Sequence, residues 1–327
     1  FTVPAFGEQV FRIPDLMEIT RIFYEGGYDR IICSTEGPMS LVSLFIKHMF
    51  NVPSFFFMHT DWMEFIKDTT DLNQHERDRV RRALRFFYKQ YAGVFVLNNE
   101  HRDWLTGHHM QLPEDDVLLT AHHTNVGYEE VVPVEKGEIV PGATQDTPVI
   151  LFASRLSKEK GIYDLPHIIE QVKQSLPDVK IVIAGTGPAE EELKSLLPDA
   201  VFTGWIDKQR IAQLYASLDL FVFPSRFDTF GNVVLEAFAY GMPVIAYNCK
   251  GPKDIIQHER CGYLVEDKEQ MSEYVVRFFS DISDRQALRQ NAVIRNLDYQ
   301  AEPIMRQFLD DLGLELPECY IEQRSVA

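Results

Sequence analysis

Asp228 and Glu236 stand eight residues apart in the stretch FVFPSRFDTFGNVVLEAFAYGMPVIA, residues 221–246. The apolar run Leu220 to Phe223 predicts a strand, and Pro224 to Gly231 a loop. Asn232 to Tyr240 then predicts a helix stopped by Gly241 and Pro243. A strand, a glycine turn and a helix N-terminus leave free backbone N–H groups and the positive end of a helix dipole at the carboxyl edge of a sheet. That is the chemistry of a phosphate site. Asp228 falls in the loop and Glu236 in the helix, where both can face one crevice, although a carboxylate beside a helix start also serves as a simple cap. A cationic pair follows another strand: Pro148 to Ala153 runs into Ser154-Arg155-Leu156-Ser157-Lys158-Glu159-Lys160-Gly161, ahead of a helix over Tyr163 to Leu176. A guanidinium fork plus an ammonium point charge is what a diphosphate needs. His59 ends the apolar run Val52 to Met58, at the edge where open α/β sheets bind ligands.

These groups need a scaffold of parallel strands, and the chain supplies the pattern twice. The first half alternates helix (Asp15 to Tyr24, closed by Gly26 and Gly27), strand (Asp29 to Ser34), helix (Gly37 to Met49) and strand (Val52 to Met58). A helix over His75 to Lys89, a strand at Gly93 to Leu97, a helix from Asn98 and a strand at Val117 to Thr120 continue it. In the second half, strands at Val179 to Ala184, Val201 to Gly204, Val244 to Tyr247 and Cys261 to Val265 join the two already named, with helices between. Strand and helix alternating at this spacing implies parallel sheets with right-handed crossovers. The 327 residues suffice for two domains, divided as 1–140 and 141–327, with a patternless linker over Glu129 to Thr147. Lys268 to Leu312 reads as helical with a break at Pro303, and Leu314 to Ala327 as a tail. The turn Gly185-Thr186-Gly187-Pro188 is not a G-x-G-x-x-G fingerprint, so a dinucleotide cofactor is poorly supported.

The stretch from Asp228 to Glu236, set among Phe230, Gly231, Asn232, Leu235 to Ala237 and Gly241 to Pro243, resembles the E-x7-E signature of the family 4 retaining glycosyltransferases of GT-B fold, with Asp228 in place of the first glutamate. Further resemblances fall in order along the chain. PSFFFMHTDWMEF is similar to the family's YHTD segment, Arg155 to Gly161 to its GRL…KG segment, Gly185 to Pro188 to its GxGP turn, and Gly262 to Leu264 to its G-hydrophobic-L strand. The resemblance implies an α/β chain of two Rossmann-like domains facing across a cleft. The first would take the acceptor and the second the nucleotide sugar, which moves with retention at the anomeric carbon. It implies that His59 lies against the donor sugar and pyrophosphate, that Arg155 and Lys160 neutralise the departing diphosphate, and that Asp228 takes sugar hydroxyls. Backbone groups of Phe230, Gly231, Asn232 and Val233, with the turn of Gly185 and Gly187, would meet sugar and phosphates, and Glu236 the ribose. Asp61 would hold either the loop or the acceptor. Family members open with a strand, a glycine-rich loop and a helix, and this sequence is expected to start after that unit, whether or not the whole protein has it.

No D-x-D motif follows an apolar strand, so we expect no metal and no cofactor besides the co-substrate, a UDP- or GDP-sugar. The acceptor is a lipid, a saccharide or another hydroxyl compound. A net charge of −17 disfavours nucleic acid as partner. Cys33, Cys249, Cys261 and Cys319 show no C-x-x-C spacing, which points to a reducing cytoplasm rather than a disulfide framework. The helix over 75–89 carries Arg77, Arg79, Arg81, Arg82, Arg85 and Lys89 beside an apolar face. Either it docks peripherally on an anionic membrane at the inner face or its basic side is simply solvated. The histidines at 108, 109, 122 and 123 read as loop residues. Two alternatives to a transferase stay open: a non-catalytic nucleotide-sugar binding module, and a GT-B epimerase or phosphorylase-like enzyme.

Overall fold

The computed structural model describes residues 14–124 and 131–315, apart from the side chains of residues 65, 68 and 69. The chain forms two compact units, Phe1–Ala121 and His122–Ala327.

The first unit is a parallel sheet of β1 (Ile31–Cys33), β2 (Ser54–Phe57), β3 (Gly93–Val96) and β4 (Val117–Leu119), in that spatial order. Its strands are short and apolar because both faces are covered; every residue of β3 is buried. Phe56, Val94, Val96, Tyr88, Leu105 and Met110 form the core. The helices start where local chemistry dictates. Asp15 caps Leu16–Gly26, and Asn73 with Glu76 closes a reciprocal capping box on Gln74–Tyr88. A helix over Trp62–Thr69, not among the expected elements, is capped by Asp61.

The second unit holds six parallel strands: β5 (Val149–Ala153), β6 (Lys180–Ala184), β7 (Val201–Gly204), β8 (Leu220–Phe223), β9 (Val244–Tyr247) and β10 (Gly262–Val265). Their spatial order is β10-β9-β8-β5-β6-β7. The chain winds outward from β5 to β7, returns to the other side of β5 with β8, and winds outward again. That is the doubly wound Rossmann order, with its reversal between β5 and β8. Ile150, Phe152, Ile183, Val222, Ile245 and Tyr263 fill the core from successive strands.

Within the expected linker, the described residues 131–147 are fastened to this second sheet. The Lys136 side chain is buried, only 5% exposed, and its ammonium donates to Asp219 Oδ2 at 2.6 Å and to the carbonyls of Gln145 (2.9 Å) and Thr147 (2.8 Å). A buried ammonium is tolerable because three acceptors replace its water. Pro303 does not break a helix as expected. It sits in the first turn of Ala301–Asp311, where its missing N–H would have had no intrahelical partner, and the interruption falls at 298–300. The expected N-terminal connection and C-terminal tail fall almost wholly outside the described residues.

Candidate functional site

The loops after β5 and β8 meet at the reversal of the second sheet. After β5 the chain makes two short helical turns, Lys158–Lys160 and Ile162–Asp164, hinged at Gly161. Gly161 has φ +70°, and a Cβ there would overlap the carbonyl oxygen of Pro224 at the end of β8. Only glycine combines that dihedral with that approach. Ser225, fully buried, donates to the Glu159 carbonyl at 3.3 Å and draws the two loops together. The result is an ion pair between two sequence-predicted residues: Lys160 Nζ lies 2.7 Å from Asp228 Oδ2, both largely buried. Gly231, in the left-handed region, then starts the helix Asn232–Ala239.

A hollow of about 510 Å³ in the same unit is lined by Ser154, Arg155, Gly185, Thr186, Gly187, Trp205, Ile206, Tyr215, Val233 and Glu236, among others, but not by Lys160 or Asp228. Arg155, both glycines of the turn, Val233 and Glu236 therefore share one cavity, whereas Phe230, Gly231 and Asn232, like Lys160 and Asp228, are not in its lining. Gly185 permits it: its φ is +129°, and a Cβ would overlap the Ser154 carbonyl oxygen. Arg155 differs from Lys160 in its surroundings. It is exposed and pairs with Glu159, which also accepts from Ser157 Oγ at 2.7 Å. Burial alone would raise the Glu159 carboxyl; hydrogen bonds from Ser157, its own backbone and Arg155 hold it below the usual range. Glu236 goes the other way. Burial pushes it up, against the Tyr215 hydroxyl at 3.5 Å and the charge of Lys208. Tyr215 is buried and its own ionisation is driven well above the ordinary value.

Sequence reasoning left His122 among loop residues. In the structure its Nδ1 lies 2.9 Å from Asn232 Oδ1, and its ring packs 5.1 Å from that of Phe230. Tyr215 and Ser157 were also missed, since an internal helix tyrosine and a loop serine carry no local signal.

In the first unit, His59 lies at the carboxyl edge of the sheet with its ring stacked on Phe57, centroids 4.4 Å apart. Asp61 accepts the Glu64 N–H at 2.9 Å, capping its helix, and its other oxygen lies 3.2 Å from Nε2 of the buried His101. It therefore holds the loop. Nearby, the Tyr88 hydroxyl donates to Glu36 at 2.9 Å. Burial raises the Glu36 carboxyl, opposed by hydrogen bonding from Trp62 and Tyr88. On Gln74–Tyr88 and just beyond it, Arg79, Arg82 and Lys89 are exposed, and so is Phe86, at 70%.

Residues 147–281 match the family of glycosyl transferases group 1. The fold is that of sucrose-phosphate synthase from Thermosynechococcus elongatus, at TM-score 0.74 and 21% identity over 95% of this chain and 78% of that one. It is also that of Anabaena HepE, solved with UDP and glucose, at TM-score 0.71 and 18% identity over 91% of this chain and 81% of that one. Parallel sheets in two units are the architecture shared with these GT-B structures. The likeness to glycosyl transferases group 1 covers residues 147–281. Among curated relatives, a GDP-mannose-dependent alpha-mannosyltransferase of Corynebacterium glutamicum is 38% identical over 118 residues, 36% of this chain and 27% of that protein. The alpha-D-kanosaminyltransferase of Streptomyces kanamyceticus is 24% identical over 271 residues, 80% of this chain and 70% of that protein. The alignment with the mannosyltransferase thus spans less than a third of that relative's length.

Proposed function

We propose that this chain is a retaining glycosyltransferase that moves a sugar from a nucleoside diphosphate to a hydroxyl acceptor, a saccharide or a lipid. The observation that carries the reading is the Lys160–Asp228 pair at the strand reversal, with a cavity in the same unit shared by Arg155 and Glu236. In this reading Glu236 accepts the ribose hydroxyls, Asp228 takes sugar hydroxyls, and the turn at Gly185 and Gly187 borders the nucleotide. Backbone N–H groups from Phe230 to Val233 meet the diphosphate.

The bond between the anomeric carbon and the diphosphate oxygen breaks, and the acceptor oxygen bonds to the same face. The acceptor's proton goes to the leaving phosphate. Charge that develops on the phosphate is met by Lys160, Arg155 and the helix start, groups fixed before the reaction begins. Those positive charges do the work that a divalent ion does elsewhere, so a chelator is expected to leave turnover unchanged. GDP-mannose is the first donor to try, since the mannosyltransferase relative uses it by name; UDP-sugars follow.

Donor hydrolysis and transfer, measured with Lys160→Ala and Glu236→Ala, test the reading. Removing a preformed charge at a leaving group costs about 100-fold in kcat, which is the expectation for Lys160→Ala, whereas Glu236→Ala should act mainly on donor KM. Wild-type turnover in both variants would refute the assignment, and donor binding without turnover in the parent chain would favour a binding module.

A further inference from the structure

We propose that His122 is a positioning residue of the donor site, holding Asn232 and Phe230 so that the helix start meets the sugar diphosphate. The inference rests on the nucleotide-sugar reading above. His122 and Thr124 lie between the loop after β8 and the C-terminal helices, and contact both. His122 Nδ1 meets Asn232 Oδ1 at 2.9 Å. An amide oxygen only accepts, so Nδ1 carries the proton in this arrangement, which leaves the Asn232 amino group as the free-facing donor of that side chain. The imidazole also packs at 5.1 Å against Phe230, which is buried and itself meets Tyr299 edge-on at 6.0 Å. Two residues on, Thr124 ties the same segment to Tyr299: its N–H donates to the Tyr299 carbonyl at 3.0 Å and its hydroxyl to the same oxygen at 3.4 Å.

Gly231 explains why such a brace is needed. With φ +94° it can occupy many conformations, and it offers no side chain to cap the helix it precedes. Phe230 and Asn232, on either side of it, are the two residues His122 holds. A loop meeting a diphosphate with backbone N–H groups gains affinity in proportion to how little ordering remains to be done on binding.

Calorimetry on the full chain tests this with GDP-mannose and UDP-glucose, set against GMP and UMP, which lack the β-phosphate and the sugar. His122→Ala removes both contacts, and His122→Phe keeps a ring beside Phe230 but removes the hydrogen bond. Both are expected to weaken the nucleotide sugar by ~10-fold, the cost of one lost hydrogen bond and a looser loop, and to leave the monophosphate within about twofold. His122→Asn, whose amide nitrogen can donate from near the Nδ1 position, should restore most of the affinity. Unchanged nucleotide-sugar binding in both variants, or equal weakening of sugar nucleotide and monophosphate, overturns the proposal. Failure of the functional reading shows separately, as absence of nucleotide-sugar binding by the unmodified chain.

Discussion

Glu236 shows what a buried carboxylate costs the fold. Its carboxyl is pushed up by burial, so the folded state prefers it protonated. The favourable contribution is complete below the unfolded carboxylate range and is lost as pH rises through the folded value. Glu236→Gln should therefore melt higher than the parent chain at pH 7 without ligand, with the difference closing toward pH 4. A melting temperature equal to or below the parent's at pH 7 would mean that burial is not what sets this carboxyl. Single residues also mark how far the sequence could be read. Lys160 and Asp228 are legible because each follows an apolar strand at the edge where such sheets bind ligands, and the fold needs only to bring their strands side by side. His122, His101 and Glu36 are not. Their partners lie 110, 40 and 52 residues away in the chain, and periodicity carries no information about contacts of that kind.

Among the elements, the turn that joins β5 to its helix bears the tightest backbone approach at the site. Gly161→Ala forces a Cβ against the Pro224 carbonyl and a left-handed dihedral on a residue that resists it. We expect a loss of about 2 kcal/mol or more in urea unfolding, together with lower donor affinity as Lys160 moves off Asp228. Strands and most helices were readable to within a residue or two, since the central strands of both sheets are buried and nearly continuous apolar runs. Two elements were not. Trp62–Thr69 is a short helix started by the Asp61 cap, and Pro303 was read as a break although a first turn accommodates proline.

For the molecule as a whole, charge sets the terms of association. With a net charge of −17 the chain is repelled by anionic surfaces in general, yet Gln74–Tyr88 and the residue after it expose Arg79, Arg82, Lys89 and Phe86. If the acceptor is a lipid, that helix is the contact we propose. Binding to vesicles containing phosphatidylglycerol should then fall steeply between 50 and 300 mM salt, screened as exposed charges are, and Arg79→Glu with Arg82→Glu should abolish it. Salt-independent binding would count against the helix. No helix among the described residues is long and apolar enough to cross a membrane.

The reversal between β5 and β8 divides labour in a way that bears on engineering. Lys160 and Asp228 follow the two central strands, whereas Trp205 and Ile206 follow β7 at the sheet's margin and line the hollow. Margins can be rebuilt without disturbing a centre. Randomising positions 205 and 206 is thus a route to changing what the hollow accepts while the Lys160–Asp228 pair stays as it is.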